Sequence, residues 1–367
     1  MAAAGTGYTQ IFFGAPAPVT ERGAPASFDV TPDGKFLVYG NKRNVVVRNL
    51  ESPGDGFIRV GHKKNCRVAR VSPDGKLCAS ADAVGKVQIW DFRAASHEQS
   101  LEKSVAGQVN DIAWDATGAK LVAGGAGGAM AFTTTGSALG DPMRAHGRDV
   151  LSVAYRPVAP FAVASAAMDF QSIMWKGPPF VQERTATDHS NFVNCTRFSP
   201  DGARYITVSS DKKGFLYDGV TGEKSGELTA PVKNAHTSSI YGVAWSPDST
   251  QLLTAASDKT LKVWDAAGVF VKTIGIGAKK KKDRQIQHQQ LACAWSASGP
   301  VSLGLNGDLT VVDPADWSVK ATLVGHQVRE SLCLIDSCYI SYFLFMRTDV
   351  PLMCVSACRS YVLRAKV

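Results

Sequence analysis

The sequence predicts an all-β fold, a seven-bladed β-propeller. Three observations carry that reading: a phrase of strands recurring every 42 to 48 residues, Pro-Asp-Gly turns inside the repeats, and a Trp-Asp pair or its relic at the repeat ends. The ends fall at Arg48, Trp90, Phe132, Trp175, Tyr217, Trp264 and Val312, separated by 42, 42, 43, 42, 47 and 48 residues. A four-stranded antiparallel unit of this length has two apolar faces and cannot bury both alone, so its neighbours must cover it and the ring must close. Seven phrases give seven blades, each expected to carry four strands.

The turns come first in each repeat. Pro32-Asp33-Gly34, Pro73-Asp74-Gly75, Pro200-Asp201-Gly202 and Pro247-Asp248-Ser249 suit tight reversals. Proline fixes φ, Asp accepts a local backbone bond, and the third residue tolerates the turn. Phe36 to Tyr39, Val45 to Arg48, Lys86 to Trp90, Leu252 to Ala255 and Leu261 to Trp264 then read as short strands, several with the alternation of a half-buried sheet. The third repeat has glycines at 124, 125, 127 and 128 where a firm turn is expected, which predicts a soft blade. The boundaries that follow are an N-terminal strand and linker over 1–23, the propeller over 24–326, and a divergent tail over 327–367.

Recurring polar residues define a hydrogen-bond network within single blades. A His donates to a turn Asp, a Ser or Thr on the second strand continues the chain, and an indole N–H ends it. The sets are His146, Ser165, Asp169 and Trp175; His189, Thr207, Asp211 and Tyr217; and His236, Thr254, Asp258 and Trp264. Repetition argues for a structural role, since an active site is needed once. The second blade reads as worn, with His62 and Trp90 present, Val84 at the expected Asp position and Asp82 two residues earlier.

Forty Lys and Arg against 32 Asp and Glu give a net charge of +8. Four of the positive charges, Lys279, Lys280, Lys281 and Lys282, form one run between the sixth and seventh blades. Without interleaved aromatics this run is a weak footprint for nucleic acid, and it reads as a solvated loop or a contact for an acidic partner surface. The start of the chain has no basic segment followed by an apolar run, and no stretch of about 18 apolar residues occurs, so neither secretion nor a membrane span is expected. Cys66, Cys78, Cys195 and Cys293 are scattered singly through the repeats, as reduced core thiols would be. Cys333, Cys338, Cys354 and Cys358 crowd the tail without a zinc-site spacing, so no metal, cofactor or small-molecule substrate is expected. The tail carries the apolar stretch Tyr339 to Phe345 with no Pro-Asp-Gly turn or Trp-Asp end, and is expected to be poorly ordered, standing where a longer repeat protein would continue.

Glu21 to His326 resembles the actin-interacting protein 1 family of WD40-repeat cofilin cofactors. The narrowest marks are Gly177-Pro178-Pro179-Phe180 followed by Asp188-His189-Ser190-Asn191-Phe192-Val193-Asn194-Cys195. Gly85-Lys86-Val87-Gln88-Ile89-Trp90-Asp91 and Ile240-Tyr241-Gly242-Val243-Ala244-Trp245 add to them. The resemblance implies a cytoplasmic protein of the actin cytoskeleton, with actin filaments and cofilin as partners, that promotes cofilin-dependent filament disassembly without hydrolysing nucleotide. It also points to a contact patch at Phe180, Val181, Gln182 and Phe192; Phe192 matches the family pattern, whereas Val181 and Gln182 depart from it, and blade packing is the plain alternative for Phe180 and Phe192. Two other classes stand beside this one. A general WD40 scaffold for protein partners would share the repeats without needing the two marks. An enzyme would need one nonrepeating constellation of nucleophile, base and orienter, and the sequence offers none.

Overall fold

A computed structural model describes residues 15–52, 56–93, 97, 99–230, 234–277 and 285–325. Within them the chain forms seven antiparallel sheets of consecutive strands, one per repeat. The innermost strands are Phe28–Val30, Cys66–Val71, Val109–Trp114, Val150–Tyr155, Val193–Phe198, Ile240–Trp245 and Gln290–Ser296. Each packs beside the next, and the seventh packs beside the first. The ring therefore closes, with the seventh and first blades sharing a core of Phe28, Leu37, Tyr39 and Val46 against Val301, Leu303 and Leu309. Among the described residues no helix is long and apolar enough to cross a membrane.

Six blades have four strands and the third has three. This corrects the expectation of four in every blade. In the third, the outer strand is reduced to isolated bridges, Ala129 to Met143 and Phe132 to Ala138. Between those bridges lie Gly140, at φ 116, and Pro142, which has no N–H to give to a ladder. The glycines do more than weaken a turn. Gly124 and Gly125 end the strand Lys120–Gly125, and a Cβ on Gly124 would sit 2.5 Å from Val153 Cγ1 of the fourth blade.

The seam between the first and last blades is crossed by the chain N-terminal to the first strand. Tyr39 Oη donates to Pro16 O at 2.7 Å and Asn41 Nδ2 to Ala17 O at 2.6 Å in the first blade, while Thr20 Oγ1 donates to Leu305 O at 2.7 Å in the seventh. Of the N-terminal strand and linker expected over 1–23, residues 1–14 lie outside the described residues, as does the tail from residue 326 on.

An antiparallel meander sorts its connections onto two faces. The loop into each innermost strand and the hairpin between second and third strands lie on one face, which carries the His–Asp pairs. The Pro-Asp-Gly hairpins and the connections from third to fourth strand lie on the other. Innermost strands run in the same direction in neighbouring blades. Asn110 Nδ2 reaches Val150 O at 2.8 Å and Asn194 Nδ2 reaches Ile240 O at 2.7 Å near their starts, while Trp114 Nε1 reaches Arg70 O at 3.1 Å near their ends.

The reduced outer strand makes a prediction about local stability. Amides of residues 137–143 will exchange with solvent faster than those of the complete outer strand Val181–Ala186, as read by native-state hydrogen exchange. Equal protection of the two segments would contradict the description of the third blade.

Candidate functional site

The His–Asp sets are close-packed networks. In the fourth blade His146 Nδ1 lies 2.9 Å from Asp169 Oδ2, His146 Nε2 lies 2.8 Å from Ser165 Oγ, and Trp175 Nε1 donates to that hydroxyl at 2.9 Å. The sixth repeats this with His236, Asp258, Thr254 and Trp264 at 2.9, 2.7 and 2.9 Å. In the fifth, His189 meets Asp211 and Thr207 at 2.8 Å each, while Tyr217, standing where other blades have Trp, donates to Asp188 at 3.0 Å. Burial lowers the proton affinity of His146 and His236 below that of an ordinary histidine, even against the pull of their carboxylates. The geometry suits a neutral imidazole donating through Nδ1 and accepting at Nε2.

The second blade keeps more of its network than its sequence suggests. His62 Nε2 lies 2.8 Å from Ser80 Oγ, and Trp90 Nε1 donates to Ser80 Oγ at 3.3 Å. Asp82, two residues before the usual Asp position, approaches His62 Nδ1 only to 3.6 Å, while its Oδ1 accepts from the Val84 and Lys86 amides. Val84 at the Asp position thus loosens one link and leaves the other two in place.

A second polar network, unannounced by any motif, joins five blades. Asp111 is buried and accepts from Arg70 Nη2 at 2.8 Å, Arg197 Nη1 at 2.9 Å and Ser152 Oγ at 2.8 Å. Arg70 also donates to Phe28 O, and Asp29 accepts from the Val71 amide. Burial works against an ionised Asp111, but Arg197 and Arg70 outweigh it and hold the carboxyl at about 2. A sequence signal for this cluster exists. Asp29, Arg70 and Arg197 each stand four residues before the Asp of the following turn, namely Asp33, Asp74 and Asp201, while Asp111 is the third residue of its innermost strand, as Ser152 is in the next blade.

The suggested contact patch is divided by the fold. Phe180 lies on the Pro-Asp-Gly face, is 8% exposed and meets the Tyr155 ring edge-on at 5.8 Å, so it packs in the core and offers no surface. Val181 and Gln182 are exposed at the start of the outer strand Val181–Ala186, whereas Phe192 follows the far end of that strand on the opposite face. The expectation of one patch is therefore corrected to two places. Lys279, Lys280, Lys281 and Lys282 lie outside the described residues.

Phe192 has a neighbour that sequence reasoning missed. Phe170, from the hairpin of the fourth blade, lies 5.7 Å from the Phe192 ring, with 40% of its surface exposed. Its φ is 71°, in the left-handed region shared at the same hairpin position by Lys212 and Lys259. A bulky residue rarely takes that conformation, which costs on the order of 1 to 3 kcal/mol. The only signal was its place directly after the network residue Asp169.

These features define a class, the WD-repeat propellers, and residues 180–218 and 229–265 match the family model described as WD domain, G-beta repeat. The chain is 34% identical over 315 residues to actin-interacting protein 1 of Drosophila melanogaster, covering 84% of this chain and 50% of that protein. It is 37% identical over 323 residues to WD repeat-containing protein 1 of Xenopus tropicalis, covering 86% and 52%, and 35% identical over 317 residues to the 66 kDa stress protein of Physarum polycephalum, covering 85% and 51%. Along most of its length the chain is thus similar to WD-repeat proteins, one of them named for actin interaction. It spans about half the length of the curated relatives it matches.

Removing the acceptor from a His–Asp pair strands a buried donor. Asp258→Ala and Asp211→Ala should each lower stability by on the order of 1 to 3 kcal/mol in denaturant melts. Unchanged melting would assign the pairs another role. Acid should act in a defined direction. Asp111, Asp211 and Asp258 all titrate below an ordinary carboxyl in the folded chain, so their stabilisation is complete above the usual carboxylate range and is lost as pH falls through the lower folded values. Melting across pH 5 to about 2 should therefore show falling stability, with a shallower slope in Asp258→Asn.

Proposed function

We propose that this chain is a cytoplasmic actin-binding protein that works with cofilin at the actin cytoskeleton to disassemble filaments, by binding and without catalysis. The observation that carries the reading is the 34 to 37% identity along about 85% of the chain to proteins named for actin interaction or for their WD repeats. Two structural features support it. The His–Asp pairs, which could pass for catalytic groups, end in buried Ser or Thr hydroxyls and recur in three blades. Phe192, which fits the family pattern, sits half-buried beside an exposed Phe170 on a rigid ring, the kind of aromatic anchor that concentrates binding energy at an interface.

A closed ring presents its loops at fixed separations, so partner contacts need little ordering of the backbone. Because the chain covers about half of its relatives, a second attachment point that would raise effective concentration in a longer protein is a separate contribution. Single-propeller binding is expected to be the weaker of the two.

Co-sedimentation decides the reading. The chain should pellet more with cofilin-decorated actin filaments than with bare filaments, and Phe192→Ala should reduce that preference severalfold while leaving the melting transition near wild type. No preference for decorated filaments would remove the actin assignment and leave a general WD-repeat scaffold for other protein partners.

A further inference from the structure

The two faces of the ring carry opposite charge. On the face with the His–Asp pairs, Lys63, Lys64, Arg144, Arg148, Lys212 and Lys213 are all exposed, contributed by the approaches to the second and fourth blades and by the hairpin of the fifth. None of the six forms an ion pair with an acidic group among the described residues. The carboxylates of this face are occupied. Among the described residues Asp82, Asp169, Asp211 and Asp258 are turned onto histidines, Asp188 pairs with Lys224 at 3.1 Å and Asp308 accepts from Asn306, which leaves Asp149 and Glu21. On the opposite face the turn residues Asp33, Asp74, Asp201 and Asp248 are exposed, joined by Asp316, with Lys35, Lys76 and Arg93 interspersed. The repeat itself produces this polarity, since every Pro-Asp-Gly turn delivers its Asp to one face.

We propose that the basic face is a docking surface for an acidic protein surface, with Phe170 and Phe192 as its apolar anchor. The proposal deepens the filament-binding reading and rests on it for its first probe. Its chemistry favours a protein over a phosphate-bearing ligand. The six charges are spread over three blades, whereas a phosphate site draws its cations together. The same face carries the half-exposed Phe170 against the half-buried Phe192, and Val84, which is 54% exposed, giving the mix of apolar anchors and charge found in protein interfaces.

The test compares charge reversals on the two faces. Lys63→Glu with Lys64→Glu, and Arg144→Glu with Arg148→Glu, alter the basic face; Lys35→Glu with Lys76→Glu is the control on the other. All sites are exposed, so melting temperatures should stay near wild type. With cofilin-decorated actin filaments, either basic-face pair should weaken binding about tenfold at low salt, and the difference should shrink as salt screens it. Control reversals that weaken binding as much, or basic-face reversals without effect, overturn the proposal while leaving the filament reading intact. If the wild-type chain ignores filaments, that reading falls and polyglutamate becomes the probe. Binding lost only in the basic-face variants sustains the acidic-protein proposal, and binding absent or indifferent to them overturns it. Retention on phosphatidylserine vesicles at physiological salt would reassign the face to a membrane and also overturn it.

Discussion

The ring depends on how one buried anion is held. Asp111 lies in the innermost strand of the third blade, and its carboxylate receives donors from the second, fourth and fifth blades, while Arg70 extends the chain to the first. Taking a carboxylate out of water is costly, and two guanidiniums with a hydroxyl offset that cost only when all of them arrive together. An ion cluster of this kind adds little net stability compared with a well-packed apolar substitute, but it penalises any misplaced blade, because one displaced strand leaves a charge unpaired. Apolar packing between blades supplies the bulk of the stabilisation, and the ionic donors add a directional requirement to it. The Asp111 cluster therefore sets the angular positions of five blades, and the seam formed by Tyr39, Asn41 and Thr20 with the flanking chain completes the circle.

The period and the turns were legible because each is local. A Pro-Asp-Gly triplet, a Trp at the end of a strand and a His 22 or 23 residues before an Asp can all be read within one repeat. The Asp111 cluster could not be read that way, since its members come from different repeats and include Asp, Arg and Ser. Only superposing the repeats shows that Asp29, Arg70 and Arg197 hold one position and Asp111 and Ser152 another, two residues earlier on the same strand face, where charges of opposite sign meet across blade boundaries. The three-stranded third blade was missed for another reason: the glycine run does hold the hairpin turn, between Gly125 and Gly128, and the outer segment interrupted by Gly140 and Pro142 carries no repeat motif by which to judge it.

The candidate contact residues were placed together by sequence proximity, and a strand undid the grouping. Val181–Ala186 crosses the blade from one face to the other, a span of roughly 17 Å at the usual rise, so Phe180 and Phe192 cannot share a surface. The fold substitutes Phe170, distant in sequence from Phe192 and adjacent in space. The same crossing separates charge. Turn aspartates accumulate on one face and unpaired lysines and arginines on the other, so the disc has a direction that an approaching charged partner can sense beyond contact range.

The central claim is that this propeller binds protein through the face bearing its His–Asp pairs. A zero-length carbodiimide joins lysine only to a carboxylate within contact distance, so it reports the docked face residue by residue. Applied to the chain bound to cofilin-decorated actin filaments and read by mass spectrometry, it should give cross-links from Lys63, Lys64, Lys212 and Lys213. Cross-links dominated by Lys35 and Lys76 of the opposite face would contradict the account.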